Sequence, residues 1–241
     1  MVDLGLLEYP SRKAVGMTVG RSALIFAAVA IVVVVVIAIL EEFGVGYSEL
    51  GPEPEELTER IIYSAEAHEE GYLLYGRWID LLVGLAFLGL LVAAPFLERV
   101  GRARHLLVAG AAIAVVGDAI DLSQLVGIDV ARWALENDLM ADFTAGNTFR
   151  WAINTTSTYV WVTGLLIVAI GMLILTKDSK GKLWRTITGV FAFSLAATAL
   201  TDVSGNTVLF ELAQYAMAAV GLTWMIIATK HLNETQQTGE S

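Results

Sequence analysis

The stretch SALIFAAVAIVVVVVIAIL, residues Ser22 to Leu40, contains no charged residue and a single hydroxyl. At about 1.5 Å of rise per helical residue, such a run nearly crosses a hydrocarbon layer about 30 Å thick. Water offers it no partner, whereas a bilayer is itself apolar. A helix satisfies its own backbone polar groups there, which an open strand cannot do. Arg12, Lys13 and Arg21 precede the run, and it exits into Glu41-Glu42-Phe43 rather than a small-residue cleavage pattern. It therefore reads as an uncleaved membrane anchor and not as a signal peptide.

Five further runs follow the same logic: Trp78–Leu97, Leu106–Ile128, and approximately Thr156–Leu175, Leu183–Thr201 and Val208–Thr229. The chain of 241 residues is 56% hydrophobic, with a mean hydropathy of +0.65. These features predict an all-α integral membrane protein, a six-helix transmembrane bundle. Residues 1–232 form a single polytopic membrane domain, and residues 233–241 are expected to be a disordered cytoplasmic tail.

The basic residues set the expected orientation. Arg12, Lys13, Arg21, Arg99, Arg102, Arg104, Lys177, Lys180, Lys182, Arg185 and Lys230 fall on one side of six crossings. These are 11 of the 15 Lys and Arg, and the other side keeps Arg60, Arg77, Arg132 and Arg150. Cytoplasmic loops carry such an excess. Both termini are thus expected in the cytoplasm (N-in/C-in) of a cell-membrane protein, with outer segments at residues 41–76 and 129–150. In the first of these, Pro52 and Pro54 are expected to open a helix, with Glu53, Glu55 and Glu56 at its positive end. In the second, Val130, Trp133, Ala134 and Leu135 predict an interfacial helix, and Gly146-Asn147 predicts a turn before the fourth span. Trp78, Trp133, Trp151 and Trp184 lie near span ends, as interface anchors do.

Spans two–three and four–five share features of a parallel repeat of helical hairpins. Gly84 and Gly101 have the same spacing as Gly164 and Gly181. Asp121-Leu-Ser123 and Asp202-Val-Ser204 each close an ascending helix, and Arg77-Trp78 and Arg150-Trp151 each precede a descending one.

The chemistry resides in acids near the outer end of the spans. Asp118 and Asp121 are three residues apart on one helix face, and Gln124 continues that face. Gly110, Ala114 and Gly117 run along much the same stripe, suiting close helix contact. Asp80 lies one turn into the second span. Asp202 and Asn206 close the fifth, Glu211 and Gln214 lie on one face of the sixth with Tyr215, and Asn154, Ser157 and Thr158 polarise the start of the fourth. An ionised side chain within the bilayer costs on the order of 3 kcal/mol or more unless paired, hydrated or neutralised. Arg77, Arg132 and Arg150 are the candidate ion-pair partners. Their alternative role is a structural ion-pair network, in which the outermost acids are simply solvated.

Several functions are excluded. The chain has no cysteine, so it holds no disulfide, Fe–S cluster or thiolate zinc site. No Lys lies within a span, which excludes a retinal Schiff base. His68, His105 and His231 fall in different loops and cannot form an intramembrane haem pair or a His-rich metal site. No Gly-rich phosphate loop is present. A CDP-alcohol phosphotransferase signature requires Gly directly after the second Asp of its first pair, and Leu122 stands there. The net charge of −10 argues against nucleic acid. Gly16 and Gly20 make a GxxxG pattern too far ahead of the first span to serve well as a dimer seam.

Three functional readings remain. In the first, Asp118, Asp121, Gln124, Asp202, Asn206, Glu211, Gln214 and Asp80 line an outward-facing acidic cavity that binds a proton or cation in coupled transport. In the second, the chain is a non-catalytic membrane subunit, scaffold or sensor whose outer segments dock a membrane partner or a second copy. In the third, the acids hold a metal in an enzyme acting on a lipid or isoprenoid. No catalytic residue is assigned, and a bound cation is the one cofactor the acids could accept.

Overall fold

The computed structural model describes residues 12–46, 54–97, 101–178 and 181–237. Every regular element among them is helical: α1 (Arg12–Glu42), α2 (Leu57–Gly71), α3 (Arg77–Leu97), α4 (Arg102–Leu122), α5 (Gln124–Glu136), α6 (Met140–Asp178), α7 (Lys182–Ser204) and α8 (Thr207–Gln237). Six helical segments are long and apolar enough to cross a membrane, so the chain is a multi-pass membrane protein. Arg99, Lys180, Pro52, Glu53 and residues 238–241 lie outside the described residues.

α1 shows why the opening stretch is a membrane helix. Leu24 and Ala27 are buried, while Val29, Val32 and Val36 on the other face are exposed. The exposed valines suit a surface whose solvent is lipid. The buried stripe meets α3, where Gly89 brings the backbones together: a Cβ on Gly89 would lie 2.7 Å from the Ala23 carbonyl oxygen. Gly16 and Gly20 also face α3 and seat the Phe96 ring, with a Cβ at either position within 2.7 Å of a ring carbon. The GxxxG pattern is thus used within the chain.

The closest pairing joins α4 and α5 to the 39-residue helix α6. Its seam is made of glycine. A Cβ on Gly164 would lie 2.6 Å from the Ala114 nitrogen, and one on Gly110 would lie 2.7 Å from the Val168 nitrogen. Gly117 rests against the Trp161 backbone, and further along Gly127 meets Gly146. No side chain separates the helices at these crossings, the geometry that small residues permit in membranes.

The helix boundaries overturn two sequence expectations. Gly146 and Asn147 make no turn, because Gly146 is the small residue that admits α5, and α6 runs straight through it. The expected helix at Val130–Leu135 is present as part of α5, with Val130 and Trp133 exposed and Ala134 buried against α6. The third run is broken at Ser123, whose hydroxyl bonds back to the Ile120 carbonyl at 2.5 Å and whose own backbone N–H reaches Ile120 and Asp121.

Trp184 is a further correction. Trp78, Trp133 and Trp151 are exposed as expected of anchors, whereas Trp184 is buried. It stacks on Trp224 of α8 with ring centroids 5.6 Å apart. Trp224 is fully enclosed and donates its Nε1–H to Thr188 Oγ1 at 3.1 Å. This aromatic knot, completed by Phe191, fastens α7 to α8. α7 ends at Gly205, whose φ of 69° is the left-handed conformation that closes a helix with little strain in glycine. At its other end α8 continues through Gln237, so residues 233–237 are helical.

Candidate functional site

The polar groups converge where α3, α4, α5 and α6 meet. α2 and α3 form one rod joined by a π-helical turn, Tyr72–Gly76, in which the Arg77 N–H reaches back to the Tyr72 carbonyl. Such turns occur often at functional positions. Here the turn places buried Tyr72 against α4, where its hydroxyl donates to the Asp121 carbonyl oxygen at 3.1 Å. The first turn of α3 carries Asp80, whose carboxyl faces the Asp121 carboxyl, the Tyr72 hydroxyl and, further off, Asp118.

Asp121 is the best-held member. Its Oδ1 accepts from Gln124 Nε2 at 2.6 Å and lies within reach of the Ser157 hydroxyl. Ser157 has one proton to give and two acceptors available, Asp121 Oδ1 and the Asn154 carbonyl at 2.8 Å. The break at Ser123 lets Gln124 begin α5 while still touching the last turn of α4.

Asp118 is held differently. It is only 8% exposed, and its Oδ2 has no hydrogen-bond partner. Gly84 of α3 provides its seat: a Cβ at 84 would lie 3.2 Å from Asp118 Cβ and 3.5 Å from its Oδ2. The glycine thus lets a carboxyl of α4 lie directly against α3. Four buried side-chain polar atoms lack a hydrogen-bond partner among the described residues: Asp118 Oδ2, Asp80 Oδ2, Arg77 Nε and Trp161 Nε1. Native interiors satisfy nearly all such atoms, so a concentration of exceptions marks a special place. All four belong to α3, α4 and α6 at this junction.

Of the basic residues, Arg132 and Arg150 are placed elsewhere. Arg132 pairs with Glu69 of α2 at 3.1 Å. Arg150 is buried, with Glu69 as its charged neighbour. These two therefore tie α2 to the α5–α6 hairpin. The Arg77 guanidinium lies over the Trp78 ring, 5.1 Å from its centroid. Among the described residues, no Lys or Arg forms an ion pair with Asp80, Asp118 or Asp121. No group of three or more His, Asp or Glu among them is arranged to hold a metal ion.

The other candidate residues separate from this cluster. Asp202 is half-buried at the end of α7, with Asp121 as its charged neighbour. Asn206 is exposed and caps α8, its Oδ1 accepting from the Leu209 N–H at 3.0 Å. Glu211 and Gln214 line a different feature, a cavity of about 830 Å³ bounded by α1, α3, α7 and α8. Trp161 touches both places: it rests against Gly117, next to Asp118, and it borders the cavity.

Sequence reasoning grouped the acids by depth but did not single out Tyr72, Gly84 or Trp161 as partners. Tyr72 lies 49 residues from Asp121, and its approach depends on a π-helical turn with no sequence signature. No protein-family model, curated protein or solved structure matches this chain.

Proposed function

We propose that the chain is an ion- or proton-coupled membrane transporter whose coupling group is the carboxyl cluster Asp80, Asp118 and Asp121. The observation that carries this reading is Asp118, enclosed with an unpartnered oxygen beside two further carboxyls and, among the described residues, in no ion pair with a Lys or Arg. Two ionised carboxylates 4 Å apart repel by about 4 kcal/mol at an effective dielectric near 20. Neighbouring carboxyls in a protein interior share a proton or a cation rather than all remaining charged. A proton is favoured over a metal ion, because no three His, Asp or Glu among the described residues are grouped to hold one. The same observation weighs against the metal-dependent enzyme.

In this reading Gln124, Ser157 and Tyr72 position Asp121 while Asp118 and Asp80 exchange the ion. Asp202, half-buried beside Asp121, extends the path toward the end of the bundle. The excess of Lys and Arg in the opposite loops supports an arrangement with both termini cytoplasmic and the cluster toward the outside.

The test is thermal melting of the purified protein against pH and against Na⁺, K⁺, Mg²⁺ and Ca²⁺, with the Asp118→Asn/Asp121→Asn double variant alongside. A species that binds only the folded state raises its stability by mass action. A response to pH or to one cation in the wild type, absent from the variant, supports the reading. Liposome flux would then identify the ion. Identical responses in both proteins would reduce the acids to structural groups.

A further inference from the structure

α8 packs along α1 and α7 but scarcely meets α3, and the gap between them is the cavity of about 830 Å³. Its size is that of a site for a small organic molecule. Most of its wall is aliphatic and aromatic, with Phe87, Phe191 and Phe210 presenting rings from three different helices. Its polar groups are gathered at one end: Glu41 and Glu42 from the end of α1, and Glu211, Gln214 and Tyr215 from the first turns of α8. The three glutamates are also the charged neighbours of the Tyr215 hydroxyl. Among the described residues, no Lys, Arg or His borders the cavity.

The apolar wall and the acidic end together define the occupant. A neutral hydrocarbon would draw nothing from Glu42 and Glu211, which form no ion pair among the described residues. An ordinary phospholipid with its tail in the cavity would bring its phosphate among three glutamates, where like charges repel. A molecule with an apolar body and one positive centre satisfies both parts, and the rings add cation–π attraction. We propose that this cavity binds a lipophilic organic cation, its hydrophobic body between α1, α3, α7 and α8 and its charge beside Glu42 and Glu211. The site uses other residues than the carboxyl cluster, and the proposal does not depend on that cluster carrying an ion.

The test compares two ions of one shape and opposite charge, tetraphenylphosphonium and tetraphenylborate, by equilibrium binding to the purified full chain in lipid nanodiscs. Saturable binding of the phosphonium, with an affinity at least roughly tenfold above that of the borate, is expected from the acidic end. Glu42→Gln/Glu211→Gln changes two exposed side chains, so folding is retained, and it should weaken phosphonium binding roughly tenfold. Ala218→Trp, which fills the cavity from α8, should abolish binding, with melting temperature confirming that the variant is folded. Met225→Trp provides a second obstruction from the same helix should the first variant unfold. Equal binding of the two ions would overturn the proposal. So would phosphonium binding that survives both the glutamine pair and an obstructed cavity, since that is partition into lipid.

Discussion

Replacing Gly164 by Ala adds one methyl group at the tightest point of the α4–α6 seam. That methyl would lie 2.6 Å from the Ala114 nitrogen, 2.8 Å from the Gly110 oxygen and 2.9 Å from Ala114 Cα. All three are backbone atoms, so no side chain can swing aside. Comfortable contact lies near 3.5–4.0 Å, and the helices must therefore part by roughly 1 Å. Overpacking of this kind costs about 1–3 kcal/mol. Against unyielding backbone the upper part of that range, about 2–3 kcal/mol, applies; alanine returns about 1 kcal/mol through its helix preference, leaving a net loss of about 1–2 kcal/mol. For a chain of this size that is a melting temperature lower by roughly 2–8 °C. Gly189→Ala is the control, because its methyl meets only Thr176 Cγ2 at 3.9 Å, an ordinary contact. It should be neutral or slightly stabilising. Scanning fluorimetry in one detergent measures both variants. A Gly164→Ala protein as stable as wild type, or an equal loss in Gly189→Ala, would refute a direct backbone seam.

Other expectations follow from single contacts. Thr188→Val removes the acceptor of the Trp224 Nε1–H and should cost about 1–3 kcal/mol, read as a melting shift, whereas Thr188→Ser should retain most of the stability. Gly16→Leu should displace the Phe96 ring and lower the melting temperature without changing the oligomeric state measured by light scattering. A change of state would return the GxxxG pattern to a role between chains. Arg132→Ala breaks the ion pair to Glu69; Arg132 is 56% exposed but Glu69 only 12%, so stability should fall by more than for a surface pair, about 1–3 kcal/mol. Hydrogen exchange in α2 should rise with it, since that pair helps tie α2 to the hairpin. Gly84→Leu should press on Asp118 and abolish the ion- or pH-dependent melting shift, while Gly189→Ala leaves that shift intact.

Much of the fold was legible because apolar length is a property of contiguous sequence. The run from Ser22 to Leu40 needs only its own residues to be a membrane helix, and the same holds for the five that follow. What was not legible depends on partners. Gly146 is a turn residue by habit, yet here it is a contact surface for Gly127, which lies in another helix. Trp184 has the sequence address of an interfacial anchor, but Trp224 and Phe191 draw it into the interior. The candidate site divides along the same line. Asp118, Asp121 and Gln124 share a local helical register, so their association could be read from spacing. The approach of Asp80 requires α3 to lie on α4 at Gly84, and that of Tyr72 requires a π-helical turn. The eight polar candidates were expected in one cavity, and the structure distributes them: a carboxyl cluster at the α3–α6 junction, a helix cap at Asn206, and the acidic end of a separate apolar cavity holding Glu211 and Gln214.

The glycine seam has a mechanical consequence. Two helices in backbone contact at Gly110–Gly164, Gly117–Trp161 and Gly127–Gly146 have no slack in which to slide or tilt, so α4, α5 and α6 behave as a single stiff spar. α8 scarcely meets α3 but is held to α7 at two levels: near its start Thr198 Oγ1 lies 3.1 Å from the Ala213 carbonyl oxygen, and further along Trp224 stacks on Trp184. Joined to α7 by the short turn at Gly205 and Asn206 as well, α8 cannot swing alone. Any opening and closing of this molecule would thus move α7 and α8 together against the spar.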